Sequence, residues 1–264
     1  MVFPASISGF IEVPDSLHYA MARKRMEAKL QDMTLELSRS NEVLMEFAHT
    51  VAYDLKQPLR TLTGFIHIFA HRYKDRMGPA ADQDILQIVR SAEWMAALID
   101  DLFMYTKVGS GDLNTQPICI EDALQSALEN LKKVIEDSHS VVTHDPLPTL
   151  FCDPIQTVCL LQNLIDNAIK FHGPDAPRIK VSAKVNGPEW VFAVRDNGIG
   201  IDPQYHGRIF EMFERLHTQI EYPGTGIGLA ICKKMVERNK GRIWADSRLG
   251  EGATFHFTLP AQPP

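Results

Sequence analysis

Residues 160–171 read LLQNLIDNAIKF, and Asn163, Asn167 and Lys170 within them fall at i, i+4 and i+7. That spacing puts two side-chain amides and an ammonium on one face of a helix. Amide oxygens suit a hard cation such as Mg²⁺, and a lysine one turn further on can meet phosphate. Taken alone, the pattern equally describes the polar stripe of an ordinary amphipathic helix. The segments that follow it decide the reading. DNGIG at 196–200 ends the strand-like run WVFAVRD: Asp196 can accept a hydrogen bond from an exocyclic amine, and the bare backbone at Gly198 and Gly200 lets a flat base approach. GTGIGLA at 224–230 then opens a helix, where Gly224, Gly226 and Gly228 allow close backbone approach and the helix start attracts phosphate. The GKS or GKT ending of a Walker loop is missing. GEGATF at 250–255 is a further glycine turn entering the last strand-like run. Between the phosphate-side elements, IFEMFERLHTQIEYP carries Phe210 and Phe213 and reads as a lid with aromatic anchors, or as a segment packing two phenylalanines into the core. Helical stretches near 121–136, 154–171 and 226–239 alternate with RIKVSAKV, WVFAVRD, GRIWADS and ATFHFTLP, which predicts an α/β sandwich with a mixed sheet.

Upstream the texture is helical. Leu30, Met33, Leu37, Ser40, Leu44, Phe47 and Val51 alternate by three and four, the spacing of a coiled-coil seam. Charged residues flank that seam, so a parallel self-pairing helix is expected. The pattern continues to about Arg76 with Pro58 inside it, breaks at RMGPAAD and restarts near Gln83. Ile85, Ile88, Ala92, Met95, Ile99 and Leu102 repeat the spacing. Two long helices thus form a hairpin that becomes a four-helix bundle in a homodimer. KVGSGDLNTQP marks a linker. The expected organisation is an N-terminal segment at 1–25, coiled coil and dimerisation hairpin at 26–106, linker at 107–117 and a catalytic α/β domain at 118–261.

The composition, 45% hydrophobic and 23% charged over 264 residues, is that of a globular protein with room for two domains. A net charge of −6 argues against nucleic acid as a partner. No apolar run reaches the length of a membrane span, and the first residues lack the pattern of a secretion signal, so a cytoplasmic protein without membrane insertion is expected. The four cysteines form no CxxC pair and read as reduced thiols, while His67 and His71 have no third metal ligand nearby in sequence. The first 25 or so residues are too few for a sensor domain, which places the input on another protein or another part of a longer chain.

The order and spacing of LLQNLIDNAIKF, DNGIG, IFEMFERL, GTGIGLAI and GEGATF resemble the nucleotide-binding boxes of sensor histidine kinases, and FAHTVAYDLKQPLR at 47–60 resembles their phosphoacceptor box. The resemblance covers roughly residues 25–260 and looks closest to the phytochrome-like branch. It implies the α/β sandwich of the histidine kinase and Hsp90-like superfamily with ATP and Mg²⁺ as cofactors. In that reading Asn167 is the metal ligand, Asn163, Lys170 and the glycines of 224–228 surround the triphosphate, Asp196 holds the adenine amine and Thr254 supports it. It also implies that Asp54 serves the acceptor as base, that Gln57 positions water for dephosphorylating a partner, and that a response regulator receiver domain, or another sensor kinase, is the partner.

The chain departs from this pattern at Tyr53, which stands where the acceptor histidine is expected. A phosphotyrosine ester transfers its phosphoryl group far less readily than phosphohistidine, and a phenol with a pKa of roughly 10 stays protonated unless a base assists it. His49 lies one turn upstream, but using it moves the target by about 6 Å along the axis and leaves it without an adjacent acid. Autophosphorylation is therefore expected to be impaired while ATP binding is retained. Three outcomes stay open: a signalling scaffold, a phosphatase of the regulator, or a kinase acting on a partner's histidine. ATP-driven clamps of the same superfamily carry a water-activating glutamate four residues before the metal-binding asparagine. Here that position is Asn163, which disfavours them.

Overall fold

The computed structural model describes residues 15–73, 76, 78–109, 113–217, 221–222 and 224–261. The chain divides into two compact units, residues 1–46 and 47–264. In the first unit, the described residues belong to helix α1 (Asp15–Tyr73), where Leu30, Met33 and Leu44 are exposed and Arg23 pairs with Glu27 one turn on. The side chain of Leu37, a further position of the expected seam, lies outside the described residues.

In the second unit α1 continues through Pro58, and α2 (Pro79–Gly109) returns beside it. α2 starts at Pro79, four residues ahead of the expected restart near Gln83. Proline suits a first helical position, because that residue's N–H has no partner within the helix in any case. Ala52 of α1 and Ala92 of α2 are buried, and polar and ring contacts join the two helices. His49 Nδ1 lies 3.1 Å from Thr106 Oγ1 and its ring stacks on Phe103 at 4.4 Å. Lys56 pairs with Asp100 at 2.6 Å and His67 with Glu93 at 3.3 Å.

The rest of the unit is an α/β sandwich. A mixed five-stranded sheet has the order β2-β4-β5-β7-β6, formed by β2 (Val141–His144), β4 (Arg178–Asn186), β5 (Glu189–Arg195), β7 (Ala253–Pro260) and β6 (Ile243–Ser247). β2 runs parallel to β4 and every other pairing is antiparallel. A second, two-stranded sheet pairs β1 (Gln116–Cys119) with β3 (Thr149–Cys152). These two strands and β2 were not expected from sequence. At four residues apiece they are too short for alternation to register, and Pro117 interrupts one of them. The expected helix at 121–136 is divided at Leu131 into α3 (Ile120–Asn130) and α4 (Lys132–Asp137).

α5 (Pro154–Lys170) and α6 (Gly228–Arg238) complete the core with α3. Asp153 caps α5 by accepting from the Gln156 N–H at 3.0 Å, and Pro154 occupies its first turn. Its apolar stripe, including Leu161, Leu164 and Ile165 at 0% exposure, is fully removed from water and meets the sheet residues Val181 and Phe192 in a single core. Phe192 and Phe257 stack at 4.8 Å across β5 and β7. Burying the apolar side of α5 in this way turns its opposite, polar side outward, and that side is the one bearing Asn163, Asn167 and Lys170.

Candidate nucleotide site

The polar face of α5 forms one wall of a cavity of about 530 Å³. Asn163, Asn167 and Lys170 enter it together, as their spacing requires. Asp196, from the turn after β5, closes one end with Ala253 and Phe255 of β7, and the 224–228 loop and start of α6 line it beside α5. Asp196 is nearly buried, at 8% exposure, and its Oδ1 accepts from both the Gly198 N–H at 2.8 Å and the Ala253 N–H at 3.0 Å. Both bonds land on one oxygen, so Oδ2 is the one able to accept from the cavity. Burial pushes this carboxyl's pKa up, opposed by those two N–H donors.

At the other end, burial pushes the Lys170 pKa down while Asp166, one turn back, supports its charge. The ammonium lies 4.7 Å from the centre of the Phe171 ring. Asn163 Nδ2 donates to the Cys159 carbonyl at 2.9 Å, which orients its Oδ1 toward α6. A Cβ on Gly228 would sit 2.8 Å from that oxygen, and one on Gly224 would run into the Lys170 ammonium. At both positions the added atom would displace the end of a side chain, whereas Gly226 needs glycine outright, with φ +75° and the Glu214 carbonyl 3.0 Å from where a Cβ would stand. The remaining wall is aromatic: Phe171 packs at 5.1 Å from Tyr222 and 6.1 Å from His217. A polar, partly cationic end and an apolar end with one buried acceptor suit a ligand that combines phosphates with a flat base.

Residues 152–263 match the family of histidine kinase-, DNA gyrase B- and HSP90-like ATPases. Over 236 residues, 89% of this chain, the sequence is 46% identical to cyanobacterial phytochrome A of Nostoc sp.. This chain is a histidine-kinase-like transmitter module. It spans 31% of the length of that relative. The adaptive-response sensory kinase SasA of Synechocystis sp. is 30% identical over 253 residues, covering 88% of this chain and 65% of the relative. Among solved structures, full-length ShkA in complex with AMPPNP shares the fold with a TM-score of 0.63 at 24% identity, covering 83% of the transmitter and 46% of ShkA.

Within the transmitter, the expected residues divide into those that reach the cavity and those that do not. Asn163, Asn167, Lys170, Asp196, Gly200, Gly224, Gly226 and Gly228 line it. Gly198 stands behind Asp196 as a hydrogen-bond donor. Thr254 is outside the wall; its neighbours Ala253 and Phe255 line it, and alternation along β7 turns Thr254 the other way. Phe210 is buried and meets Phe255 edge-on at 6.4 Å. Phe213 is 60% exposed with φ +63°. Part of the expected lid, residues 218–220 and 223, lies outside the described residues.

Tyr53, Asp54 and Gln57 are exposed on α1 and none of them lines the cavity. Cys152 and Cys232 are buried, while Cys119 and Cys159 are half-buried. No helix among the described residues is long and apolar enough to cross a membrane.

Several wall residues escaped the sequence reading. Asp166 lay inside the quoted helix without a role of its own. Ala97 and Asp101 come from α2. Thr225 Oγ1 donates to Asp101 Oδ2 at 2.5 Å across a sequence separation of 124 residues, which no local pattern could signal. Burial pushes the Asp101 pKa up, the Thr225 hydroxyl opposes this, Asp100 adds to it, and Lys170 pulls it back down.

Proposed function

We propose that the module binds Mg-ATP in this cavity and acts in two-component signalling as a homodimer that engages a receiver domain, with autophosphorylation impaired at Tyr53. One observation carries the reading: Asn163, Asn167, Lys170 and Asp196, from separate turns of α5 and the end of β5, converge on one cavity whose glycine loop leaves room beside them. In this assignment the Asn167 amide oxygen holds the cation, and Lys170 with the 224–228 backbone meets phosphate. Asp196 Oδ2 accepts from the adenine amine, while Ala253 and Phe255 beside it give the base an apolar seat. Bound Mg-ATP supplies an activated γ-phosphoryl group. The protein's own acceptor position supplies a phenol in place of an imidazole. Its neighbour Asp54 is solvent-exposed, where water competes for the contact that a general base must make.

A second reading rests on Gln57, which is exposed one turn beyond Tyr53. An amide there can orient water toward a phosphorylated receiver without using an acceptor residue, which makes dephosphorylation of a partner the accompanying activity. Label incorporation from γ-labelled ATP with Mg²⁺, run on this chain and on Tyr53→His, tests the assignment. Acid-labile label in Tyr53→His alone is expected. Acid-stable label on the unmodified chain would make Tyr53 a phosphoacceptor, and no label in either would remove the kinase reading of the cavity.

A further inference from the structure

Helix α2 brings a carboxylate into the wall of the cavity and is fastened to the loop that carries the phosphate-side glycines. Besides the Asp101–Thr225 bond, the Trp94 indole N–H donates to the Gly224 carbonyl at 3.2 Å. Farther along, Lys234 of α6 donates to the Tyr105 carbonyl at 2.9 Å, with its ammonium 3.9 Å from that residue's ring centre, and Arg238 donates to the Val108 carbonyl. The bonds run in register along α2, so this side of the helix docks on the loop and α6 as a strip. Thr225 is a pivot within it: its hydroxyl donates to Asp101 and accepts from the Ile227 N–H at 3.3 Å. That N–H stands at the start of α6, where a phosphate would otherwise take it. Asp101 also interacts electrostatically with Lys170. Its carboxylate therefore holds, through Thr225, the same loop that the proposed function gives to the triphosphate, and it lines the same cavity as Lys170.

Two anions do not share such a seat, because the attraction to Lys170 is divided while their mutual repulsion grows as water is excluded. We propose that Asp101 is an intramolecular competitor of the nucleotide's phosphates, so that nucleotide binding detaches α2 from the 224–228 loop. This rests on reading the cavity as a nucleotide site. Linkage makes the effect reciprocal: whatever pulls α2 off the loop raises nucleotide affinity by the same factor. The helix hairpin thereby gains a route to the cavity that does not pass through Tyr53.

Calorimetric titration of Mg²⁺ with the non-hydrolysable β,γ-imido ATP analogue, on this chain and on Asp101→Asn and Asp101→Ser, tests the competition. Removing the charge is expected to tighten binding about fivefold or more in both variants, within the usual range of coupling between sites. The indole of Trp94 is an independent reporter. With the three tryptophans fluorinated, the ¹⁹F resonance that disappears in Trp94→Phe is expected to shift when the analogue saturates the unmodified chain. Equal or weaker binding by the Asp101 variants would overturn the proposal, weaker binding marking Asp101 as a ligand for the cation. An unmoved Trp94 resonance at saturation would overturn it too. Absence of analogue binding in every form would remove the nucleotide reading itself along with the competition, whereas equal binding would remove the competition alone.

Discussion

Asp196 shows how one buried carboxylate can be costly to the fold and useful to a site. Its pKa is raised in the folded state, so its ionisation costs stability: the cost is full above the folded value, shrinks as pH falls through it, and is gone below the ordinary carboxylate pKa. Asp196→Asn keeps an oxygen to accept from the Gly198 and Ala253 N–H groups but turns an NH₂ donor toward the cavity. An adenine amine would then face a donor in place of an acceptor. We expect nucleotide affinity to fall by about 10- to 100-fold, the cost of an unpaired buried donor, with thermal stability unchanged or raised. Calorimetric titration together with a melting curve checks both halves, and retained affinity would deny Asp196 the role of base recognition. At this scale Asp196 was legible because an acid followed by two glycines is unusual at a strand end. Asp101 was not, since an acid on an amphipathic helix has no local feature that separates it from a solvated one.

Helix α5 carries both core and site, and its ends decide the register of each. Asp153 satisfies the Gln156 N–H, and Pro154 removes a donor that the first turn would leave without a partner. Asp153→Ala is expected to cost about 1 kcal/mol, read as a lowered urea midpoint at constant slope. A loss well above 2 kcal/mol would mean that the cap does more than satisfy one N–H. The long elements were readable, because seventeen residues of α5 and eight of β7 repeat their apolar period several times. The four-residue strands were not, as a single alternation is indistinguishable from loop. Phe213 shows a subtler limit. In sequence it matches Phe210, yet Phe210 is buried and Phe213 is exposed with a left-handed backbone.

For the whole molecule, the apolar surface of the hairpin is the dominant feature. Leu62, Phe65, Phe69 and Ile88 are exposed, and with Pro58 and Ile85 they line an open groove of about 770 Å³ between α1 and α2. So contiguous an apolar surface marks an interaction site, and the homodimer proposed above would cover it with the same hairpin of a second copy. Phe65→Asp, placing a charge in that seam, is expected to convert the proposed homodimer to monomer in sedimentation velocity at micromolar concentration. A monomeric parent, or a variant that stays dimeric, would overturn the assignment. By itself the sequence determined the long helices and the four longer strands, the grouping of Asn163, Asn167 and Lys170 on one helix face, and the presence of a tyrosine at the acceptor position, because these follow from spacing along the chain. Only the tertiary structure decided that Asp101 and Trp94 of α2 meet the 224–228 loop and that Thr254 turns away from the cavity. Such contacts join residues far apart in sequence, or depend on which side of a strand the core claims.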